Sequence, residues 1–232
     1  MCGRFGFDIP RQALTEHFGL EARYDVAPRY NIAPTQEAPA VLLHPDSGAR
    51  VLRSLRWGLV PSWARDAKAG AQLINARSES AADKPAFRAA FKRRRCLVPA
   101  AGFYEWKRLP QGKQPWWIRL TGGGPLAFAG LWEHWLDPAA PSPDSSPRDA
   151  TLYTFTILTC PANPLVAELH DRMPVILDPA DYAAWLDPDA ERPALEALLA
   201  PFPAGRMETW PVSTRGNSPR NDDPSLLDKV AP

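Results

Sequence analysis

The chain has 232 residues and a formal net charge of +1, and 45% of its residues are hydrophobic. This composition is typical of a globular domain and too apolar for a disordered chain, while the near-zero charge argues neither for nor against an anionic partner. Because the sequence has no apolar run of about 20 residues and no visible secretory leader, we expect a cytoplasmic protein without a membrane-spanning segment.

Short elements follow one another from the start of the chain. Residues 10–19 predict a helix, with proline in its first turn and glycine after its end. Residues 37–43 and 51–57 predict two strands, joined by the turn HPDSG. Residues 83–94 predict a second helix, which Asp83 can cap.

The middle and the end of the chain are rich in strand-like segments. We predict strands over residues 96–98, 104–107, 116–120, 126–132, 151–160, 173–177 and 208–213. Residues 178–186 and 193–199 predict short helices. Residues 137–150 hold four prolines and three serines and predict an inserted surface loop, and residues 216–232 predict a polar, irregular tail.

The pattern of these elements indicates the fold class. Proline accounts for 27 residues, more than twice its usual share of about 5%, and it is excluded from helix interiors and central strands. Many short strands, few short helices and no strict β–α alternation predict a single compact α+β domain. We expect a largely antiparallel, β-barrel-like sheet with short flanking helices.

The cysteines and the known short motifs limit the possible chemistry. Three cysteines, Cys2, Cys96 and Cys160, are an odd number that suits a reducing compartment better than a disulfide scaffold. The sequence contains neither CxxC nor HExxH, and neither GxxxxGK[ST] nor GxGxxG. We therefore expect no metal and no nucleotide cofactor.

Cys2 has unusual chemistry available to it. Aminopeptidases normally remove an initiator methionine that precedes a small side chain, and Cys2 would then carry a free amine beside its thiol. An α-amine titrates near ~7.7–8.0 against ~10.4 for lysine, so more of it is uncharged at neutral pH. The amine can form an imine with an aldehyde, and the thiol can then close a five-membered thiazolidine ring. The alternative is that Cys2 is an incidental second residue.

Three further polar residues lie in apolar or junction surroundings. Asn75 follows two apolar residues in LINARSES. Glu105 lies between Tyr104 and Trp106, where desolvation would raise its pKa and suit proton transfer, although it can instead face solvent. His170, in ELHDRMPVIL, lies between a helix-like segment and a strand, a junction that often carries site residues. We expect the other three histidines on the surface.

Basic and aromatic segments are compatible with nucleic-acid contacts. Residues 88–95 hold five basic side chains, although a solvated face is the commoner explanation of such a cluster. The segment RWGLVPSWA carries two tryptophans around glycine and proline, in what must be a loop. These tryptophans suit stacking on unpaired bases, or simple anchoring of the loop.

Eight segments in order resemble one family. They are MCGRF, YNIAPTQ, RWGLVPSWA, INARSES, RRCLVPAAGFYEWK, FAGLWE, TILTCPAN and LHDRMPVIL. Each string alone is a weak signal, but their order and spacing are specific. From residue 2 to about residue 225, the chain resembles the SRAP family, the SOS-response-associated peptidase-like proteins that process abasic sites.

This resemblance implies a fold and an activity. The implied fold is a single α+β domain around a β-barrel-like sheet, with a positively charged cleft for single-stranded DNA. The implied activity is capture of the aldehyde of a ring-opened abasic site by the N-terminal cysteine, as a thiazolidine DNA–protein crosslink. Such a crosslink shields the lesion from strand cleavage near replication forks. We expect a cofactor-free monomer that joins the nucleoid when it binds damaged DNA.

The resemblance also implies roles for individual residues. Cys2 corresponds to the nucleophile, and Asn75 to the residue that positions the terminal cysteine and the sugar. Glu105 corresponds to the acid/base residue of ring opening and imine formation. His170 corresponds to a histidine near the sugar hydroxyl and the phosphate, which is implicated in Schiff-base chemistry and slow reversal.

A second group of residues is implied in DNA binding. Arg4, Arg77 and Arg172 correspond to arginines that hold backbone phosphates, which position a strand without reading its sequence. Pro34 and Trp63 correspond to a region that wedges and stacks at the lesion. An alanine follows Trp63 where some members carry a second aromatic residue, which leaves the strength of stacking open.

Two readings from other functional classes stay open. In the first, Cys2 attacks a peptide or amide carbonyl with its own α-amine as the base, as in N-terminal nucleophile hydrolases. In the second, the chain is a DNA-binding module that recognises damage without reacting with it.

Overall fold

Short strands dominate the structure, a computed structural model that describes residues 2–22, 24–110, 112–138 and 151–231. Most of the predicted loop at 137–150 thus lies outside the described residues. The strands in the described part are β1 (Phe5–Phe7), β2 (Arg29–Ile32), β3 (Glu37–Leu43), β4 (Arg50–Trp57), β5 (Asn75–Arg77), β6 (Arg95–Ala100), β7 (Gly102–Leu109), β8 (Gly112–Leu120), β9 (Leu126–Leu136), β10 (Thr151–Pro161), β11 (Arg172–Pro174) and β12 (Met207–Pro211).

The helices are short. Those in the described residues are α1 (Arg11–Phe18), α2 (Ser78–Ala81), α3 (Arg88–Arg93), α4 (Pro164–Ala167), α5 (Tyr182–Leu186) and α6 (Arg192–Ala197), with 3-10 turns at Ala67–Gln72, Pro179–Asp181, Ala204–Arg206, Thr214–Asn217 and Pro224–Leu227. Among the helices described, none has the length and apolar character needed to cross a membrane.

Five strands close into a barrel. Their order is β10-β4-β3-β6-β9, and β9 pairs again with β10. A second sheet has the order β12-β8-β7-β1-β2. Most pairs are antiparallel, but β10 runs parallel to both β4 and β5. The predicted α+β class, with its barrel-like sheet and short helices, is confirmed.

Aromatic packing around Phe5 joins the barrel to the second sheet. Phe5 belongs to the second sheet and is fully buried. Its ring meets the barrel residues Trp57 and Phe128 edge to face, with centroids 5.2 and 5.9 Å apart. Burial of such large rings is a major source of core stability. The start of the chain is therefore fixed between the two sheets.

Two predicted helices are shorter in the structure. The helix predicted over 83–94 is helical only in α3, because Pro85 restricts the backbone before it. The helix predicted over 178–186 begins as a 3-10 turn and becomes α-helical only in α5. The surface position predicted for His17 is also wrong, since its ring is half-buried and lies 2.8 Å from the Tyr182 hydroxyl.

The basic cluster at 88–95 does not form one charged face. Arg95 is buried, and its guanidinium donates to the carbonyls of Trp185 at 2.6 Å and Phe91 at 2.7 Å. Arg94 forms an ion pair with Glu133 at 2.5 Å. The guanidinium groups of these two arginines therefore bind partners within the protein. Only the remaining basic side chains of the cluster are exposed.

The tail after residue 215 folds back onto β2 through Asn31. This side chain is fully buried, and its Nδ2 donates to the carbonyls of Ser218 at 3.0 Å and Asn221 at 2.7 Å. Its Oδ1 accepts a hydrogen bond of 2.7 Å from Arg4 Nη1. One buried amide thus connects the tail, β2 and the segment before β1.

Replacing Asn31 should therefore loosen the tail. Asn31→Ala removes the hydrogen bonds to the Ser218 and Asn221 carbonyls and one of the two acceptors of Arg4 Nη1, so we expect a loss of about 1–3 kcal/mol of stability. Thermal melting measures the loss, and hydrogen exchange should quicken at residues 216–222. Asn217→Ala is the matched control, because that exposed amide makes one hydrogen bond, from Trp106 Nε1. Equal melting temperatures for the two variants would contradict this account.

Candidate active site

Cys2 is held in a buried position just before β1. Its side chain has 0% exposure, and its carbonyl accepts a hydrogen bond of 2.7 Å from Asn75 Nδ2. Burial raises the pKa of the Cys2 thiol far above its ordinary value, and the charge of Glu105 raises it further. The thiol is therefore protonated at neutral pH in this arrangement, and attack through sulfur requires a base to take its proton.

Asn75 reaches Cys2 from the first position of β5. This strand pairs with β10, where Asn75 lies opposite Ile157. The preceding residue, Ile74, accepts a hydrogen bond of 2.8 Å from Trp57 Nε1, which fixes the strand against the core. The Asn75 Oδ1 atom is buried and has no hydrogen-bond partner among the described residues. It is an acceptor positioned for an N–H or O–H group that enters the site.

Glu105 lies in β7, and it is buried rather than facing solvent. Its exposure is 3%, although it lies near the middle of a strand whose last residues are exposed. Burial disfavours the carboxylate and raises the pKa of Glu105 to about 7. Near neutral pH this side chain is close to half protonated, so it can both give and take a proton.

His170 lies in the turn between α4 and β11. Its Nδ1 is 2.7 Å from Asp171 Oδ1 and 3.0 Å from the backbone N–H of Arg172. The Asp171 carboxylate can accept a hydrogen bond only from a protonated Nδ1, whereas the Arg172 N–H can donate only to the lone pair of an unprotonated Nδ1. The two contacts therefore suit different protonation states of the ring. Burial lowers the pKa of His170, and the charge of Arg108 adds to this. The neutral ring is therefore favoured, with Arg172 donating to Nδ1.

The turn that carries His170 lies within electrostatic reach of Glu105. The negative charge of Asp171 contributes to the raised pKa of Glu105, and the charge of Glu105 in turn raises the pKa of the Cys2 thiol. The structure thus brings Cys2 and Asn75 into contact, and it places Glu105 within electrostatic reach of Cys2 and of the His170 turn.

Two of the three arginines flank one residue of β10. Arg77 lies opposite Thr159 in the strand register and is exposed. Arg172 donates to the Thr159 carbonyl at 2.5 Å and forms a two-pronged ion pair with Glu79, at 2.5 and 2.8 Å. Arg77 is therefore open to an anion, whereas Arg172 already has a carboxylate partner.

Arg4 differs from both of these arginines, because the protein itself occupies much of its guanidinium. Besides its bond to Asn31, Nη1 donates to the Gly216 carbonyl at 3.1 Å. The guanidinium also lies over the Trp106 ring, 5.8 Å from its centroid. Burial lowers the pKa of Arg4. In this structure the Arg4 guanidinium therefore holds the tail in place.

Pro34 and Trp63 lie on two segments that both adjoin the buried residue Trp57. Pro34 is in the turn after β2, where the N–H of Thr35 donates to the Trp57 carbonyl at 2.8 Å. Trp63 is 67% exposed, in the loop after β4. Trp135 Nε1 anchors this loop by donating to the Ala64 carbonyl at 2.7 Å. An exposed indole on an anchored loop is suited to stacking.

A contact between two glycines shapes the Trp63 loop. A Cβ atom on Gly70 would lie 2.4 Å from the Gly58 carbonyl oxygen. Gly58 also has a φ of 124°, which other residues rarely adopt. Both ends of the loop can cross only because neither position carries a side chain.

Three residues of the site were missed in the sequence. Asn31 binds Arg4, Glu79 binds Arg172, and Asp171 contacts His170. Each lies within a quoted segment, YNIAPTQ, INARSES or LHDRMPVIL. Their partners could not be assigned, because two of the three contacts join residues far apart in the chain.

Comparison with known proteins identifies the family. A family model described as SOS response associated peptidase (SRAP) matches residues 1–219. The abasic site processing protein YoqW of Bacillus subtilis (strain 168) is 42% identical, over 98% of this chain and 99% of the relative. The abasic site processing protein HMCES of Gallus gallus is 37% identical, over 89% of this chain and 67% of the relative.

Solved structures share the fold. A protein from Bacteroides thetaiotaomicron superposes with a TM-score of 0.84 over 99% of this chain and 100% of its own, at 23% identity. A phage-related protein from Bordetella bronchiseptica has a TM-score of 0.68 at 30% identity, covering 91% of this chain and 94% of its own. With the family model matching nearly the whole sequence, the resemblance is confirmed, and this chain belongs to the SRAP family.

Proposed function

We propose that this chain processes abasic sites, by capturing them covalently in single-stranded DNA through Cys2. The observation that carries the proposal is the hydrogen bond that holds Cys2 to Asn75, next to a buried carboxyl whose pKa is about 7. Membership of the SRAP family supports it, as do relatives that are named abasic site processing proteins.

The proposed chemistry requires the loss of Met1, which gives Cys2 a free amine. The amine nitrogen adds to the aldehyde carbon of the ring-opened sugar, and loss of one water gives an imine. The thiol sulfur then adds to the imine carbon, and its proton passes to the nitrogen. The product is a thiazolidine that joins DNA to protein, and its formation releases one water molecule overall.

Proton transfer in this scheme falls to Glu105. In its protonated form it assists departure of water from the first adduct, and as a carboxylate it takes the proton of the Cys2 thiol. The unpartnered Oδ1 of Asn75 accepts a hydrogen bond from the new amine or from a sugar hydroxyl. His170, neutral and partly exposed, faces the sugar and assists formation and reversal of the imine.

The DNA strand is proposed to lie across the exposed basic and aromatic residues near the site. Arg77 holds a backbone phosphate directly, and Arg172 does so while Glu79 keeps it in place. Arg4 contributes positive charge from a half-buried position. Pro34 and Trp63 support the bases that flank the gap. Such capture would protect lesions at replication forks, in the nucleoid.

Loss of the Cys2 thiol should abolish the stable product. Wild-type protein incubated with single-stranded DNA that holds an abasic site should give a heat-resistant shifted band on a denaturing gel, and Cys2→Ala should give none. Cys2→Ser still forms an imine, so its yield should rise after borohydride reduction. Cys160→Ala, which removes another buried cysteine, should behave as wild type.

The same gel separates the other functional classes. A wild-type yield from Cys2→Ala would refute the role of Cys2. A cleaved peptide without a shifted band would favour a hydrolase, and a complex seen only on native gels would favour a non-covalent binder. Intact-mass measurement of the protein shows whether Met1 has been removed.

Glu105→Gln should slow capture and change its pH dependence. Because the pKa of Glu105 is about 7, the wild-type rate should pass through a maximum near neutral pH. Gln cannot transfer protons, so we expect a loss of about 10²-fold and a rate that only rises with pH as the amine deprotonates. Single-turnover capture between pH 5.5 and 9 (about the range of both groups) measures this.

Two controls accompany this variant. Affinity for unmodified single-stranded DNA should not fall, and a fall would make Glu105 a structural residue. In the wild-type protein the folded state raises the pKa of Glu105 from its ordinary value of 4.5 to about 7. The stability of the wild-type protein therefore declines as the pH rises from 4.5 to about 7. Glu105→Gln lacks this decline, and at pH above 7 it should melt no lower than wild type.

Arg77→Ala should weaken DNA binding without slowing the covalent capture of DNA that is already bound. Removing one phosphate contact should reduce the slope of log affinity against log salt by about 0.7 for a single strand. Arg88→Ala, at an exposed position on α3, is the matched control. Fluorescence anisotropy at several salt concentrations measures the slopes, and equal slopes for both variants would exclude Arg77 from the phosphate contacts.

A further inference from the structure

Thr35 has a backbone conformation that its residue type disfavours. Its φ is 71°, and it is the sole non-glycine residue with positive φ in the described part of the chain. It follows Pro34 in a turn that is closed by the Gln36 N–H donating to the Ala33 carbonyl at 3.2 Å. A proline followed by a residue with positive φ normally has glycine or asparagine in the second place. A β-branched residue there is strained.

The turn is fixed firmly enough to impose this strain. The Thr35 N–H donates to the Trp57 carbonyl at 2.8 Å, and the Trp57 N–H donates to the Gln36 carbonyl at 2.9 Å. The Gln36 side-chain oxygen accepts from the Ala33 N–H at 3.1 Å and from Arg29 Nη2 at 2.8 Å. Backbone strain persists where surrounding contacts over-determine the conformation, and such places cluster at functional sites.

Nothing within the described residues accounts for the Thr35 side chain. The residue is exposed, and its hydroxyl has no hydrogen-bond partner in the part of the chain that the structure describes. Glycine would adopt the same φ without strain. An exposed side chain that strains the turn, without a hydrogen bond inside the described part of the chain, points to a contact outside the protein.

The turn lies at the same end of the second sheet as Cys2. Trp57, which receives the Thr35 N–H, donates through its indole to the Ile74 carbonyl at 2.8 Å. The next residue, Asn75, holds the Cys2 carbonyl. Phe5 lies opposite Ile32 in the register of β1 and β2, so the turn after β2 and the segment before β1 meet at one end of the sheet.

We propose that Thr35 is a substrate-contacting residue whose hydroxyl donates a hydrogen bond to a phosphodiester oxygen beside the abasic nucleotide. Hydroxyl groups commonly make such contacts, which fix the register of a strand. The rigid turn holds the hydroxyl in place before DNA arrives, so little rotational freedom is lost on binding. This inference rests on the proposed function, because it assumes that the ligand at Cys2 is DNA.

The test separates the hydroxyl from the shape of the side chain and from the strain. All variants are made in Cys2→Ala protein, and the ligand is a single-stranded oligonucleotide with a tetrahydrofuran abasic analogue, which has no aldehyde. Thr35→Ser keeps the hydroxyl and should bind within about twofold of the parent. Thr35→Val keeps the branched shape and should bind about 3- to 10-fold more weakly, as expected for one lost hydrogen bond.

Thr35→Gly is a second variant without the hydroxyl, and its weaker binding could not be attributed to poor folding. It removes the hydroxyl and the strain together, so it should bind as weakly as Thr35→Val while melting at or above the temperature of the parent. Thr121→Val, at another exposed turn threonine, is the matched control and should leave affinity unchanged.

Two results would overturn the inference: Thr35→Val and Thr35→Gly binding as tightly as the parent, or Thr35→Ser binding as weakly as Thr35→Val. Failure of the proposed function is a separate observation. It would appear as the absence of a crosslink between protein with intact Cys2 and a natural abasic site, whatever the affinities of the Thr35 variants.

Discussion

The hydrogen bond from Asn75 to the carbonyl of Cys2 is the contact on which the site depends. Asn75 belongs to a strand that pairs with the barrel, whereas Cys2 leads into β1 of the second sheet. This bond therefore connects the segment that leads into β1 to the strand that pairs with the barrel. Phe5 completes the attachment from the core side. A backbone held in this way fixes the position of the Cys2 side chain before any ligand binds, which would reduce the entropy cost of the proposed reaction.

Burial and charge link the protonation of Cys2 and Glu105. Each group is desolvated, and the charge on Glu105 raises the pKa of the thiol, so the two do not carry negative charge together. A buried pair of this kind holds one proton more readily than none. In the proposed reaction, the proton that leaves sulfur therefore has Glu105 as its acceptor. The same pairing keeps the thiol protonated until an electrophile arrives, which protects it from oxidation because the thiolate is the reactive form.

The sequence allowed the fold class to be predicted better than the contacts that support the candidate site. Frequent proline and short strand-like segments were sufficient for an α+β barrel, whereas the aminothiol chemistry at Cys2 stays a prediction, made because Met1 precedes a small residue. The strands β1, β2 and β5 were missed, because segments of three or four residues carry little periodicity. The basic run at 88–95 gave no sign that Arg95 is buried, because two of the carbonyls that bind its guanidinium belong to the distant residues Trp185 and Asp187. The burial of Glu105 is likewise decided by tertiary packing and not by its neighbours in the chain.

The long reach of Asn31 and Arg4 couples two distant parts of the sequence. Both bind carbonyls of residues 216–221, although Arg4 lies only two residues after Cys2. The surroundings of the segment beside Cys2 are therefore completed only when residues 216–221 have folded back onto β2. Any change that detaches this tail would also reach the segment that carries Cys2, without touching Cys2 or Asn75 directly.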